Sequence, residues 1–281
     1  MSSRRLAATL LQILLAVAAL PAGAQERPFP YSLGARDAVL LPVGAGLSLL
    51  GDLVASDPSP LTREQIAALS PDDINSFDRT AARSWSKAWG DRSDQSRDAL
   101  LGAAVLVSFA PQVLGGRWKE SVTLGVMFTE AFLLVEGATY TAKELAGRKR
   151  PWVYNTSLSV DERHALSQSR PRDVRRSFFS GHTSAAFTLA TLMSTVYGDV
   201  YGRSAASDAL WAASLSAAAL TGYARVKAGQ HYPSDVLVGA AVGSAVGILV
   251  PSLHRAARTS GVQVTAGPGG LSVRVPWGGG R

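Results

Sequence analysis

The chain has 281 residues, enough for one substantial domain with appendages. Apolar residues make up 47% and charged ones 17%, below the roughly 25% charged content of an average soluble domain, which points to a large helical core or to lipid contact. A net charge of +7, from 28 Lys and Arg against 21 Asp and Glu, favours anionic partners; no recognition-helix, RNA-binding or zinc-finger pattern accompanies it, so nucleic acid is not expected, and the lack of cysteine excludes disulfides, a thiol nucleophile and Cys-based metal sites.

Arg4-Arg5 precede an apolar run from Leu6 to Leu20, followed by Pro21 and Ala22-Gly23-Ala24. A basic start, a short apolar stretch and an A-x-A ending read as a secretory signal over residues 1–24. The other reading is an uncleaved anchor, for which a run of about 15 residues is short of the roughly 20 a span needs. Both readings bring this end of the chain to a membrane.

Residues 25–97 read as a leader, a first apolar helix and an amphipathic segment. Ala38 to Val54 is apolar but interrupted by Pro42, Gly44, Gly46 and Asp52. Ser70 as N-cap and Pro71 at the first helical position predict a helix carrying Ile74, Phe77, Ala81 and Trp85 on one face. Five long apolar helices are predicted after it, at about 98–114, 119–142, 183–198, 207–224 and 235–251. Gly115-Gly116, Gly198-Asp199 and Pro251 punctuate them, and Asp98, Asp208 and Asp235 sit near helix starts, where a carboxylate suits unpaired amides. The expected architecture is all-α, a bundle of about six long apolar helices with its core over 98–255. The tail, 256–281, alternates around Pro268-Gly269-Gly270 and reads either as a small β-hairpin or as an irregular end.

Three clusters carry the chemistry. Lys143 and Arg150-Pro151 follow the second long helix. Lys offers a movable point charge and Arg a planar fork suited to phosphate oxygens; cations at a helix end also simply suit its dipole. Ser180-Gly181-His182 opens the next helix. Ser180 is a good N-cap, Gly181 lets amides approach an anion, and His182 can hand a proton to a leaving oxygen; a capping histidine is the plainer reading. Arg225, His231 and Asp235 form the third cluster. A carboxylate four residues after a histidine can accept from Nδ1 and leave Nε2 as a nucleophile, or can merely cap its helix. His164 and His254, in a polar loop and beyond an apolar helix, are expected to be solvated. Together the clusters supply what hydrolysis of a phosphomonoester through a covalent histidine intermediate requires.

These groups resemble the signature of the type 2 phosphatidic acid phosphatase (PAP2) and haloperoxidase superfamily. Its Lys-x6-Arg-Pro pattern matches Lys143, Arg150 and Pro151. Its Pro-Ser-Gly-His element matches Ser180, Gly181 and His182, with Phe179 in place of the proline. Its Ser-Arg-x5-His-x3-Asp element matches Arg225, His231 and Asp235, with Ala224 in place of the serine. The resemblance covers about residues 98–251. It implies that His231 attacks phosphorus, Asp235 orients it, and His182 serves as acid and then as base. It also implies that Lys143, Arg150, Arg225 and the amides of Ser180 and Gly181 hold the phosphoryl oxygens. No cofactor or metal is expected, since the carboxylates do not recur at ligand-like spacing.

The resemblance implies a phosphatase acting on a lipid phosphate or diphosphate, or a secreted, soluble acid phosphatase of broad specificity. A vanadate-dependent haloperoxidase and a non-catalytic phospholipid binder are further alternatives. The expected setting is the bacterial cell envelope, membrane-associated, with the site facing the periplasm. If Ala38–Val54 spans and the signal is removed, the crossings instead put the motifs in the cytoplasm, in agreement with the Lys and Arg excess around them.

Overall fold

The computed structural model describes residue 12, residues 28–55 and 59–256, and two strands at 263–267 and 270–274. The expected signal segment therefore lies outside the described residues apart from Gln12. Among the described residues there are eight α-helices: α1 Asp37–Leu53, α2 Arg63–Ala67, α3 Lys87–Leu114, α4 Trp118–Ala146, α5 Val160–Ser169, α6 Gly181–Tyr201, α7 Ala205–Lys227 and α8 Pro233–His254. The six long ones, α1, α3, α4, α6, α7 and α8, form the bundle. Strands β1 Gln263–Gly267 and β2 Gly270–Arg274 pair antiparallel with Val264 opposite Val273.

Helix α6 is the centre, packed against α3, α4, α7 and α8. Its Ala186, Ala190, Met193 and Tyr197 meet Leu100 and Ala103 of α3 and Leu210, Ala217 and Ala218 of α7. Its Leu192 and Val196 join Leu124, Met127 and Ala131 of α4 and Val250 of α8. Full burial of each such Leu or Met contributes about 1.5–3 kcal/mol. Close approach of α8 depends on the stripe Gly239, Gly243 and Gly247: a Cβ at Gly239 would fall 2.7 Å from the Ser180 carbonyl, and one at Gly243 would collide with that of Ser184. With the backbones this close, Thr188 Oγ1 donates to the Gly243 carbonyl across the interface at 3.1 Å.

Two predicted elements differ. Helix α3 begins at Lys87 with Ser86 as N-cap, so Asp98 lies inside it and not at its start. The helix expected after Ser70 is replaced by two 3₁₀ turns, Pro71–Asp73 and Arg79–Arg83. Ser70 does cap the first, but the Asn75 side chain then accepts from the Asp78 amide at 3.0 Å and diverts the backbone from a helix. Phe77 consequently points to solvent, whereas Ile74 and Ala81 pack on Tyr232. This segment is laid over the end of the bundle that carries the sequence clusters, with Leu61 and Ile66 against Trp152, Val153 and Val174.

Three segments, α3, one within Trp118–Tyr154, and α8, are long and apolar enough to cross a membrane. Their outer faces are apolar: Leu101, Val105 and Leu106 on α3, Val122 and Phe132 on α4, and Leu237, Ile248 and Leu249 on α8 are all exposed. Helix α1 adds Val39, Leu49 and Leu53. Exposed apolar faces on helices of this length suit association with a membrane.

Candidate active site

The end of α4, the start of α6, the end of α7 and the start of α8 meet at one end of the bundle, and the three sequence clusters meet with them. Helix α4 stops at Gly147, whose φ of +53° is left-handed and free of strain in glycine. The chain then turns inward, and Pro151 starts a 3₁₀ turn that sends Arg150 into the interior.

His231 lies in the short connection between α7 and α8 and is 1% exposed. Its Nδ1 is 2.7 Å from the Ser177 carbonyl, which can only accept, so Nδ1 carries the proton and Nε2 is bare. Nε2 is 3.3 Å from Arg150 Nη1. Burial, and then the charges of Arg150, Arg225 and Lys143, hold this imidazole well below the ordinary histidine range. The result is a neutral, desolvated lone pair directed at cations.

Asp235 differs from the sequence expectation. Its carboxylate is 3.7 Å from His231 Nδ1 and is not the group that accepts from it. Oδ2 accepts instead from Ser177 Oγ at 2.5 Å and from the Tyr232 amide at 3.0 Å, while Oδ1 pairs with Arg148 at 2.5 Å. Asp235 thus acts on His231 through Ser177, whose hydroxyl it holds and whose carbonyl fixes the ring. Arg148 also bonds Asp78 at 2.8 Å, and buried Asp78 accepts from the Ser234 amide and hydroxyl. The segment before α3 is thereby tied to the start of α8.

The three motif cations are held differently. Arg150 is locked by the Asp173 and Gln230 carbonyls at 2.8 and 3.1 Å. Arg225 donates to Ser93 Oγ at 3.3 Å and lies 3.9 Å from Asp94, with its Nε lacking a partner. Lys143 makes no ion pair within 4.0 Å among the described residues, and its Nζ is 3.2 Å from where a Gly181 side chain would begin. Gly181 leaves that space open between the ammonium and the helix start.

Ser180 takes a role other than the expected one. Its amide donates to the Asp235 carbonyl at 3.1 Å and its hydroxyl caps α6. The amides open to an anion are those of Gly181 and His182, ahead of the first intrahelical bond from Ser184 to Ser180. His182 Nε2 has two partners on α3, Asp94 Oδ1 at 2.7 Å and Arg97 Nη1 at 2.8 Å. With an acceptor and a donor at one nitrogen, either protonation state of the ring has a partner.

A cavity of about 460 Å³ opens beside this cluster between α3, α4 and α6. Arg97, Asp98, Glu136, Lys143 and His182 supply its polar lining, and Leu101, Phe128, Phe132, Val135 and Leu189 line its apolar walls. Ser177, Asp94, Arg97 and Asp78 lie outside the sequence motifs and Arg148 fills a variable position within one; none has a spacing that ties it to a histidine. His254, expected to be solvated, is fully buried. The His and carboxylate grouping close enough to share an ion among the described residues, Asp37, Glu130 and His254, lies at the far end of α8.

Fold and site define a helical-bundle protein in which Lys143, Arg150, Arg225 and the start of α6 gather around a neutral, buried imidazole. Residues 121–259 match the PAP2 superfamily, and the chain belongs to that superfamily through them. A stretch of 75 residues is 43% identical to a lipid A 1-phosphatase of Porphyromonas gingivalis, covering 26% of this chain and 15% of that protein. No solved structure matches the chain at a significant level.

Proposed function

We propose that the protein is a phosphatase that hydrolyses a lipid phosphate through a phosphohistidine on His231. The observation that carries this is the bare Nε2 of His231 facing buried Arg150, with Arg225 and Lys143 acting on the same ring. In the first step the Nε2 lone pair attacks phosphorus, the bond to the lipid oxygen breaks, and that oxygen takes the proton from His182 Nε2. In the second step His182 removes a proton from water, the hydroxide attacks phosphorus, and the P–N bond returns its electron pair to Nε2. Lys143, Arg150, Arg225 and the Gly181 and His182 amides bear the charge on the phosphoryl oxygens. Such preorganised donors are usually the largest catalytic term, and uncatalysed phosphomonoester hydrolysis needs up to about 10²¹-fold acceleration. Asp235, with Ser177 and Arg148, is a positioning group.

The apolar-walled cavity ending at Lys143 and His182 supports a lipid over a soluble ester, as does the apolar exterior of α3, α4 and α8. The Porphyromonas relative is named for the 1-phosphate of lipid A, which makes a saccharide-lipid phosphate the first substrate to test. We place the protein in the bacterial envelope membrane with its site on the periplasmic side, in keeping with the signal-like start of the chain.

The test is a panel of lipid A, phosphatidate, an isoprenoid diphosphate and a chromogenic monoester, presented to purified protein in detergent and to the outer face of spheroplasts. Faster phosphate release from a lipid in both formats is expected. Equal rates on the soluble ester in plain buffer would favour the soluble acid phosphatase instead.

A further inference from the structure

His254 is the last residue of α8, about 30 Å along the helix from the catalytic end. Its Nδ1 lies 2.8 Å from the Val250 carbonyl one turn back. Nδ1 therefore carries the proton, and Nε2 turns toward carboxylates from two other helices. Asp37 Oδ1 of α1 is 2.6 Å away and Glu130 Oε2 of α4 is 3.2 Å away. One ligand atom from each of the three lies within 4.8 Å of the others.

Glu130 is 0% exposed, and neither of its carboxylate oxygens has a hydrogen-bond donor. A proton on His254 Nε2 can serve only one carboxylate, and the shorter contact assigns it to Asp37. Arg36, the next cation, donates to Ser32 and forms no ion pair with either carboxylate among the described residues. Two carboxylates sharing one buried imidazole leave negative charge in the interior, at a cost of several kcal/mol. A divalent cation removes that cost: two carboxylates balance its charge and the imidazole completes three donors. The bond from Nδ1 to a backbone carbonyl is the outer contact that orients metal-binding histidines.

We propose that Asp37, Glu130 and His254 form a divalent-metal site that fastens α1 to α4 and α8. The imidazole nitrogen in the donor set selects a first-row ion such as Zn²⁺ or Mn²⁺ over Mg²⁺ or Ca²⁺. The site's role is structural. It joins a strap already formed by the Tyr31 hydroxyl and Arg255 on Asp199 at 2.8 and 2.9 Å, and by the Ser32 amide on the His254 carbonyl at 3.0 Å. Sequence spacing could not reveal it, because its residues come from three helices and are separated by most of the chain.

The test uses the full chain purified in detergent, stripped with EDTA, and dialysed against Zn²⁺ alone or Mn²⁺ alone. Elemental analysis should find one equivalent of metal, and the melting temperature should rise on adding the ion. Glu130→Gln keeps the side-chain shape and should weaken metal binding at least about ten-fold, abolishing the thermal response; Asp37→Asn should do the same. His231→Ala should bind the ion as the parent does, which separates this site from the catalytic one. Two results would overturn the proposal: no bound metal in the stripped and re-dialysed chain, or a Glu130→Gln protein that keeps the thermal response.

Discussion

His231 combines burial, a fixed tautomer and three cations acting on one ring. The sign of the resulting pH dependence follows directly. In the unfolded chain this imidazole titrates near about 6.5, whereas in the folded protein it stays neutral well below that value. As pH falls through the unfolded value the unfolded state takes up the extra proton, so this group's contribution to stability is present above that pH and lost below it. His231→Gln should therefore flatten the decline in melting temperature between neutral pH and pH 5, measured against the parent; an identical decline in both proteins would show that the ring is not held neutral. The motif residues were legible because Lys, Arg, His and Gly at those spacings resemble the PAP2 signature. Ser177 was not, because it acts through a backbone carbonyl that any residue possesses, and the expected bond from His231 to Asp235 is made through it.

Among the elements, α6 and α8 do most to build the site, since their contact brings the Ser180 turn against Asp235. The glycine stripe of α8 sets that distance. Gly243→Leu forces the helices apart and should cost on the order of 1–3 kcal/mol, with activity falling together with the melting temperature; unchanged stability would mean the helices do not approach this closely. Apolar periodicity located all six long helices, and it missed the first turns of α3 for a definite reason. The buried positions there are Ser93 and Ser96, not apolar residues, so the polar stretch read as part of the amphipathic segment before the helix. Those turns carry Asp94 and Arg97 to His182, and so the partners of that ring were hidden with them. The 3₁₀ turns after Ser70 escaped because Asn75 competes locally with a helix that the apolar spacing favours.

At the scale of the whole molecule, charge and apolar surface are segregated. The cations and histidines of the clusters gather at one end under the segment before α3, tied down by Asp78 and Arg148. The exteriors of α1, α3, α4 and α8 remain apolar, and the cavity joins the two regions. Under the proposed function, this layout suits a lipid whose phosphate meets the cations while its chains stay among apolar walls. The central claim is that the phosphoryl group passes through His231. Trapping the protein during turnover of a radiolabelled lipid phosphate should give an acid-labile, base-stable label on this residue. His231→Ala should carry no label and lose turnover by a factor on the order of 10⁶. Undiminished phosphate release from that variant, or a label that maps elsewhere, would contradict the account.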